Sequence, residues 1–265
     1  MMGQHSCYHP LAFCFMNLDQ LILIGIILTV GSAIQSAAGF AFGLFAIPLL
    51  MLSGFESFEA IAIVGMCAWV QSGIGAWKLR QFADWQSLRS LTIFVILMQP
   101  VGAYLQGMFN EQGPNVIKQV FGGMLLVVVI SQVLFRPRPR EAVGFGWSAL
   151  AMSCSGLLGG LTGTSGPPVV LWAMAHDWPS QRTRATMFAM FFIIIPLNMI
   201  FQTLTFGVEV LESAASGLAY TPVVWLGTIP GLWIGSLLTQ RALRRVAFAL
   251  LFVIAVYMLV KPMVD

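Results

Sequence analysis

Two stretches of this sequence place glycine, proline and small hydroxyl residues inside otherwise apolar runs. The first reads Gly39-Phe40-Ala41-Phe42-Gly43-Leu44-Phe45-Ala46-Ile47-Pro48, and the second Gly159-Gly160-Leu161-Thr162-Gly163-Thr164-Ser165-Gly166-Pro167-Pro168. Glycine lets a backbone approach closely or take positive φ, and proline removes a donor and interrupts a helix. In a bilayer, interrupted backbone is tolerated only where protein buries it or where it lines a cavity. A break also exposes helix-end N–H groups, whose partial positive charge suits an anion. Thr164 and Ser165 add hydroxyl donors, and Gln35 and Ser36 stand directly before the first break. The candidate substrate-binding set is therefore Gln35, Ser36, Gly39, Phe40, Phe42, Gly43, Gly163, Thr164, Ser165, Gly166 and Pro167. The competing reading is packing: Gly39/Gly43 and Gly159/Gly163 are also small-xxx-small pairs that let helices approach.

Other polar residues in apolar runs are Gln71, Gln99, Asn198 and Gln202, for which hydrogen bonding between helices is the plain expectation. No Asp, Glu, Lys or Arg lies deep in a run, so an anion held here meets only neutral donors. His176 and Asp177 fall at the end of a run, an interfacial position that also suits a gate. Gly163-Thr164-Ser165-Gly166 resembles the G-x-S-G of rhomboid intramembrane proteases, whose nucleophile needs a histidine base within hydrogen-bond reach. This chain offers only His5, His9 and His176, none of them on a later membrane helix. Cys7, Cys14, Cys67 and Cys154 form no CxxC pair, so neither a metal nor a cofactor is expected.

The elements that carry these residues must live in lipid. Of 265 residues, 58% are hydrophobic and 9% charged, against roughly 25% charged in soluble domains. Mean hydropathy is +0.86. Basic residues are not interleaved with aromatics, so nucleic acid is not an expected partner. No Lys or Arg precedes Lys78, which argues against a cleavable signal peptide. Apolar segments fall at 18–36, 37–53, 57–77, 88–109, 116–135, 143–161, 166–175, 185–207, 217–240 and 246–260. The second and seventh are short for a straight crossing and suit half-helices or hairpin arms.

Basic clusters set the orientation. Lys78/Arg80, Arg136/Arg138/Arg140, Arg182/Arg184 and Arg241/Arg244/Arg245 go to the cytoplasm, while the connections holding Glu56, Glu59, Glu111, Glu209 and Glu212 face outside. Threading the chain through them puts both termini outside and gives the two halves opposite orientation, the logic of many secondary transporters. Gly39, Gly43 and Pro48 match Gly159, Gly163 and Pro168 at a constant offset of 120. The expected fold is an all-α polytopic membrane protein with two inverted-topology repeats, Gly/Pro-broken helices or hairpins, and about 8–10 membrane segments. The first repeat covers 1–135, a cytoplasmic linker 136–142, and the second repeat 143–265. Expected partners are a small anionic substrate, the bilayer of the cell (inner) membrane and a second copy in a homodimer.

At Gln35–Leu50 and Gly156–Trp172 the chain resembles the TauE/SafE family of sulfite and organosulfonate exporters. The resemblance rests on Gly-Phe-x-Phe-Gly-Leu-x-Ala-x-Pro-Leu-Leu at Gly39–Leu50 and on Leu-x-Gly-Thr-x-Gly-Pro-Pro headed by Leu161. Ser165 stands where the family pattern has glycine. The resemblance implies export of a small sulfur oxyanion such as sulfite or a sulfonate. The residues alone reach only neutral breaks suited to an anion, and they leave another small organic anion open.

Overall fold

The computed structural model describes residues 18–38, 41–134, 143–237 and 240–264. Gly39, Phe40 and the 136–142 linker lie outside them. In chain order the helices are α1 (Leu18–Ala38), α2 (Phe42–Leu52), α3 (Ser57–Leu79), α4 (Trp85–Glu111), α5 (Pro114–Leu134), α6 (Phe145–Thr162), α7 (Gly166–Met174), α8 (Ser180–Phe206), α9 (Glu209–Ala219), α10 (Thr221–Leu237) and α11 (Gln240–Val264). No strand occurs among the described residues. Six helices (α1, α3, α4, α5, α8 and α11) are long and apolar enough to cross a membrane. Large apolar side chains stay exposed on outer faces, with Leu204 at 78% and Leu134 at 72%. Only lipid solvates such faces cheaply. The molecule is an all-helical polytopic membrane protein.

Local chemistry sets the helix ends. Glu56 and Glu59 form a reciprocal capping box at the start of α3, the Glu59 carboxylate accepting from Glu56 N–H at 2.8 Å. Asp84 caps α4 by accepting from Ser87 N–H. Gly163 ends α6 at φ 69°, the left-handed conformation that glycine adopts without strain. One expectation fails: Glu209–Glu212 does not form a loop but begins α9, and Ser216 sits on that helix. The two acidic residues occupy the first turn, where the helix dipole favours them. Only Tyr220 separates α9 from α10, so the expected ninth segment, 217–240, starts inside α9 and continues as α10.

Small residues decide which helices pair. Gly102 of α4 lies against the Leu157 carbonyl of α6, and Gly156 and Gly160 lie against the Val95 and Gln99 carbonyls of α4. Gly227 and Gly231 of α10 lie likewise against the Thr29 and Ala33 carbonyls of α1. In both pairs the contacts advance together along the two chains, so the helices are parallel. Ser32 reinforces the second by donating to the Val224 carbonyl at 3.0 Å. Between these pairs, α3 packs on α8 and α5 on α11.

The two ends of the bundle differ in chemistry. At one end Ser57 donates to Asn110 at 3.4 Å, Phe58 stacks on Phe206 at 5.2 Å, and Glu56 and Glu209 surround Glu59. At the other, Arg182 pairs with Asp84 at 3.1 Å and lies 4.8 Å from the Trp178 ring centroid. His176 stacks on Trp178 at 4.1 Å, and Thr186 Oγ1 accepts from Asp84 N–H at 3.0 Å. This latch ties the α3–α4 connection to the start of α8. Partial burial would raise the Asp84 carboxyl, but hydrogen bonds from Ser87 and Arg182 outweigh it and hold the group below its ordinary value. Burial pushes His176 below its ordinary value of 6.5, against the opposing pull of the Trp172 carbonyl and Asp84.

Two outcomes follow. Gly160→Ala places a methyl against the Gln99 carbonyl and should destabilise the α4–α6 pair by about 1–3 kcal/mol, whereas Gly123→Ala, with nothing within 4 Å, should be silent. Thermal unfolding in detergent reads the difference. Both latch shifts have the same sign with pH. A depressed histidine favours the neutral folded form, so its contribution fades as pH falls below 6.5; that of Asp84 fades below 3.8. Of the two latch groups only His176 titrates between pH 7 and 5, and His176→Phe should flatten the loss of thermal midpoint over that window. An unchanged slope in the variant removes His176 as its cause.

Candidate functional site

The two breaks meet at a cavity of about 90 Å³. One water needs roughly 10–15 Å³ by this measure, so several waters or one small anion fit. The first break contributes Ala41, Phe42, Gly43 and Leu44, and the second Gly163, Thr164, Ser165, Gly166 and Pro167. The walls come from α3 (Ile61, Val64, Gly65, Ala68, Ser72) and α8 (Met187, Phe188, Phe191, Ile195, Asn198, Met199), each set falling on one helix face. Gln35 reaches it from α1. No lining residue among the described ones is ionisable.

The second break is built so that its acceptors are satisfied and its donors are not. α6 ends at Thr162; Gly163 N–H closes back on the Gly159 carbonyl at 2.9 Å, and the carbonyls after it are left without helical partners. Asn198 Nδ2 donates to the Gly159 carbonyl, and Gln202 Nε2 donates to that of Gly160 at 2.9 Å. Ser155 Oγ donates to the Ser165 carbonyl at 2.8 Å, and Gln132 of α5 to that of Pro167 at 3.0 Å. The N–H groups at the start of α7 receive no comparable side chain, and Ser165 makes no cap bond. Pro167 and Pro168 lack N–H altogether, so Gly166 carries the first donor of α7.

The first break presents its donors in the same way. Phe42, Gly43 and Leu44 open α2, so their N–H groups have no intrahelical acceptor; Phe45 N–H already bonds the Ala41 carbonyl at 3.0 Å. Ala41 holds φ 91°, a strained value for a residue with a Cβ. α2 and α7 have 11 and nine residues, against about 20 for a straight crossing. Their positive ends therefore lie within the depth that α3 and α8 span.

Of the expected residues, Gln35, Phe42, Gly43, Gly163, Thr164, Ser165, Gly166 and Pro167 line the cavity. Gly39 and Phe40 lie outside the described residues. Ser36 does not line it; its hydroxyl accepts from Gln71 Nε2 at 3.1 Å, and the same amide nitrogen reaches Thr228 Oγ1 at 3.3 Å. Thr164 lines the cavity, but its hydroxyl is no free donor. Thr162 Oγ1 donates its one proton to the Leu158 carbonyl at 2.8 Å, so in the 2.7 Å Thr162–Thr164 bond Thr164 is the donor. Its methyl faces Gly43, where an added Cβ would lie 3.2 Å away. Ser165 Oγ occupies the space a Cβ on Gly159 would need. Register also differs from expectation: α2 begins at Phe42 and α7 at Gly166. The offset of 120 thus pairs Gly43, inside α2, with Gly163, in the connection before α7.

Sequence reasoning missed Ser72 and the site role of Asn198. Both are buried and both line the cavity, and Ser72 Oγ and Asn198 Oδ1 have no hydrogen-bond partner. The signal for Ser72 was the stripe Ile61-Val64/Gly65-Ala68-Ser72, whose helical spacing puts it on the face of α3 that carries its small residues. A protease reading does not survive the geometry. His176 lies beyond the far end of nine-residue α7 from Ser165, roughly 14 Å along the axis. Its Nδ1 is 3.0 Å from the Trp172 carbonyl. No group of three His, Cys, Asp or Glu suited to a metal occurs among the described residues.

Comparison with known proteins agrees with this architecture. Residues 23–258 match the family described as "Sulfite exporter TauE/SafE". The "Probable sulfite/organosulfonate exporter TauE" of Cupriavidus necator is 22% identical over 235 residues, covering 87% of this chain and 91% of that protein. No solved structure matches. With a match over most of its length and helices built to cross a bilayer repeatedly, this chain belongs to the TauE/SafE family of multi-pass cell-membrane exporters.

Proposed function

We propose that this chain exports a small sulfur oxyanion, sulfite or an organosulfonate, by alternating access and without a covalent step. The observation that carries the reading is the cavity where the two breaks meet, lined by the first residues of α2 and α7 and by no ionisable side chain among the described residues. Gly43 and Gly166 N–H, Ser165 and Gln35 hold the anion. Fixed dipoles replace its hydration without an ion pair too strong for release. The family membership and the name of the Cupriavidus necator relative support the sulfur oxyanion. The aromatic and methionine walls accept a short carbon tail, which suits a sulfonate.

Alternating access rests on the inverted duplication. The α4–α6 pair, which joins a helix of the first repeat to one of the second, has its counterpart in α10–α1, and α3–α8 and α5–α11 pair each helix with its own equivalent. This pattern supports two intertwined repeats related by a two-fold axis, with the α4–α6 unit moving against the α10–α1 unit. The latch end, with Lys78, Arg80, Arg182 and Arg184, faces the cytoplasm in this reading, and both termini face outside.

Ser165→Ala should lower methanesulfonate affinity about 10- to 150-fold, the value of one hydrogen bond to a charged ligand. Thr164→Val should cost less, because that hydroxyl is committed to Thr162. Calorimetric titration of the purified protein in detergent measures both, and parent-like binding by Ser165→Ala moves the site elsewhere. A reporter active only in the cytoplasm, fused after residue 265, should stay silent; a strong signal there would sink the inverted-repeat topology.

A further inference from the structure

We propose that the cavity selects oxyanions by charge state, taking those with a single negative charge and refusing dianions. Hydrogensulfite and sulfonates then enter, while sulfite dianion and sulfate do not. The inference rests on the proposed anion site and adds a rule for what that site accepts.

The first ground is electrostatic. The wall holds no Lys, Arg or His to match a second charge. The desolvation cost of an ion rises with the square of its charge, but its attraction to fixed dipoles rises only in proportion to the charge. A neutral, dipole-lined cavity can therefore balance one charge and fall short for two. The nearest titratable groups sit at the ends of the wall helices or turn away from it: Glu59 at one end, the Asp84–Arg182–His176 latch at the other, and Cys67, whose thiol bonds the Gly217 carbonyl at 3.2 Å. None lines the cavity.

The second ground is the mixture of donors and acceptors. Ser72 Oγ is buried, unpartnered and on the wall, a donor of the kind an oxyanion needs. Asn198 Oδ1 is likewise buried and unpartnered, and one N–H of its amide is committed to the Gly159 carbonyl, so the oxygen on this wall presents lone pairs. Thr164 has given its proton to Thr162 and also offers lone pairs. A fully deprotonated dianion meets repulsion at these two positions. An oxyanion that keeps one proton can donate it to Asn198 Oδ1.

Binding to the intact protein in detergent decides the matter with methanesulfonate, sulfite and sulfate between pH 6 and 9. Methanesulfonate keeps one charge throughout, so its dissociation constant should stay flat. That of total sulfite should rise about tenfold per pH unit once hydrogensulfite loses its proton. Sulfate should bind at least roughly a hundredfold more weakly than methanesulfonate. Asn198→Ala should reduce the preference for hydrogensulfite over methanesulfonate about tenfold, a ratio that a uniformly damaged site would not move. Sulfate binding as tight as methanesulfonate, or sulfite binding indifferent to pH, overturns charge selection and leaves sulfur-oxyanion transport standing. A parallel loss of methanesulfonate and sulfite with pH points to a titrating protein group and also overturns it. Binding of none of the three defeats the proposed function and this inference with it.

Discussion

A helix interrupted inside a bilayer leaves carbonyls and N–H groups where water cannot reach them, and the rest of this structure answers that constraint. Around the second break the answer is asymmetric. Asn198, Gln202, Ser155 and Gln132 arrive from three helices, and every one donates to a carbonyl. These backbone acceptors are engaged by the protein, while the N–H groups that open α7 receive no comparable side chain. In the proposed function, a preference for an anion comes from which half of the broken backbone the side chains complete, with no formal positive charge required. The same amides hold α8 and α5 against the break, so the polar groups that make a site also fix its walls.

Close glycine contacts give this arrangement its frame. Parallel helices cross backbone to backbone at Gly102, Gly156 and Gly160, and again at Gly227 and Gly231. No hydrophobic effect drives apolar helices together in lipid, so dispersion at short range and a few interhelical hydrogen bonds must do it. Such contacts tolerate little sliding, which makes each pair a rigid unit. The end clusters are looser and chemically unlike: carboxylates and an aromatic stack at one end, an ion pair and tryptophan packing at the other. The contrast places adjustable chemistry at the ends and rigid packing in the middle.

Much of this was legible in the sequence. Interrupted apolar runs marked both breaks, and segment lengths marked α2 and α7 as too short to cross. Hydrophobicity and glycine report directly on lipid contact and on backbone geometry, so these signals survive without coordinates. Side-chain direction does not. Thr164 and Ser165 read alike as hydroxyl donors, yet one is committed to Thr162 and the other is not, because Thr162 is itself bonded to Leu158. Ser36 and Gln35 are neighbours on a helix, and a rotation of about 100° per residue separates the cavity from the Gln71 contact. α9 was hidden because a half-length amphipathic helix carrying two glutamates looks like a polar connection.

The meeting of Ser165 Oγ with Gly159 has an evolutionary corollary. The hydroxyl fills the volume that any side chain at position 159 would claim. The two positions are therefore not free to vary separately. With serine at 165, an alanine at 159 would push the Ser165 hydroxyl out of its present position. The orientation of the donor at 165 and the bare backbone at 159 are thus kept, or lost, as a pair.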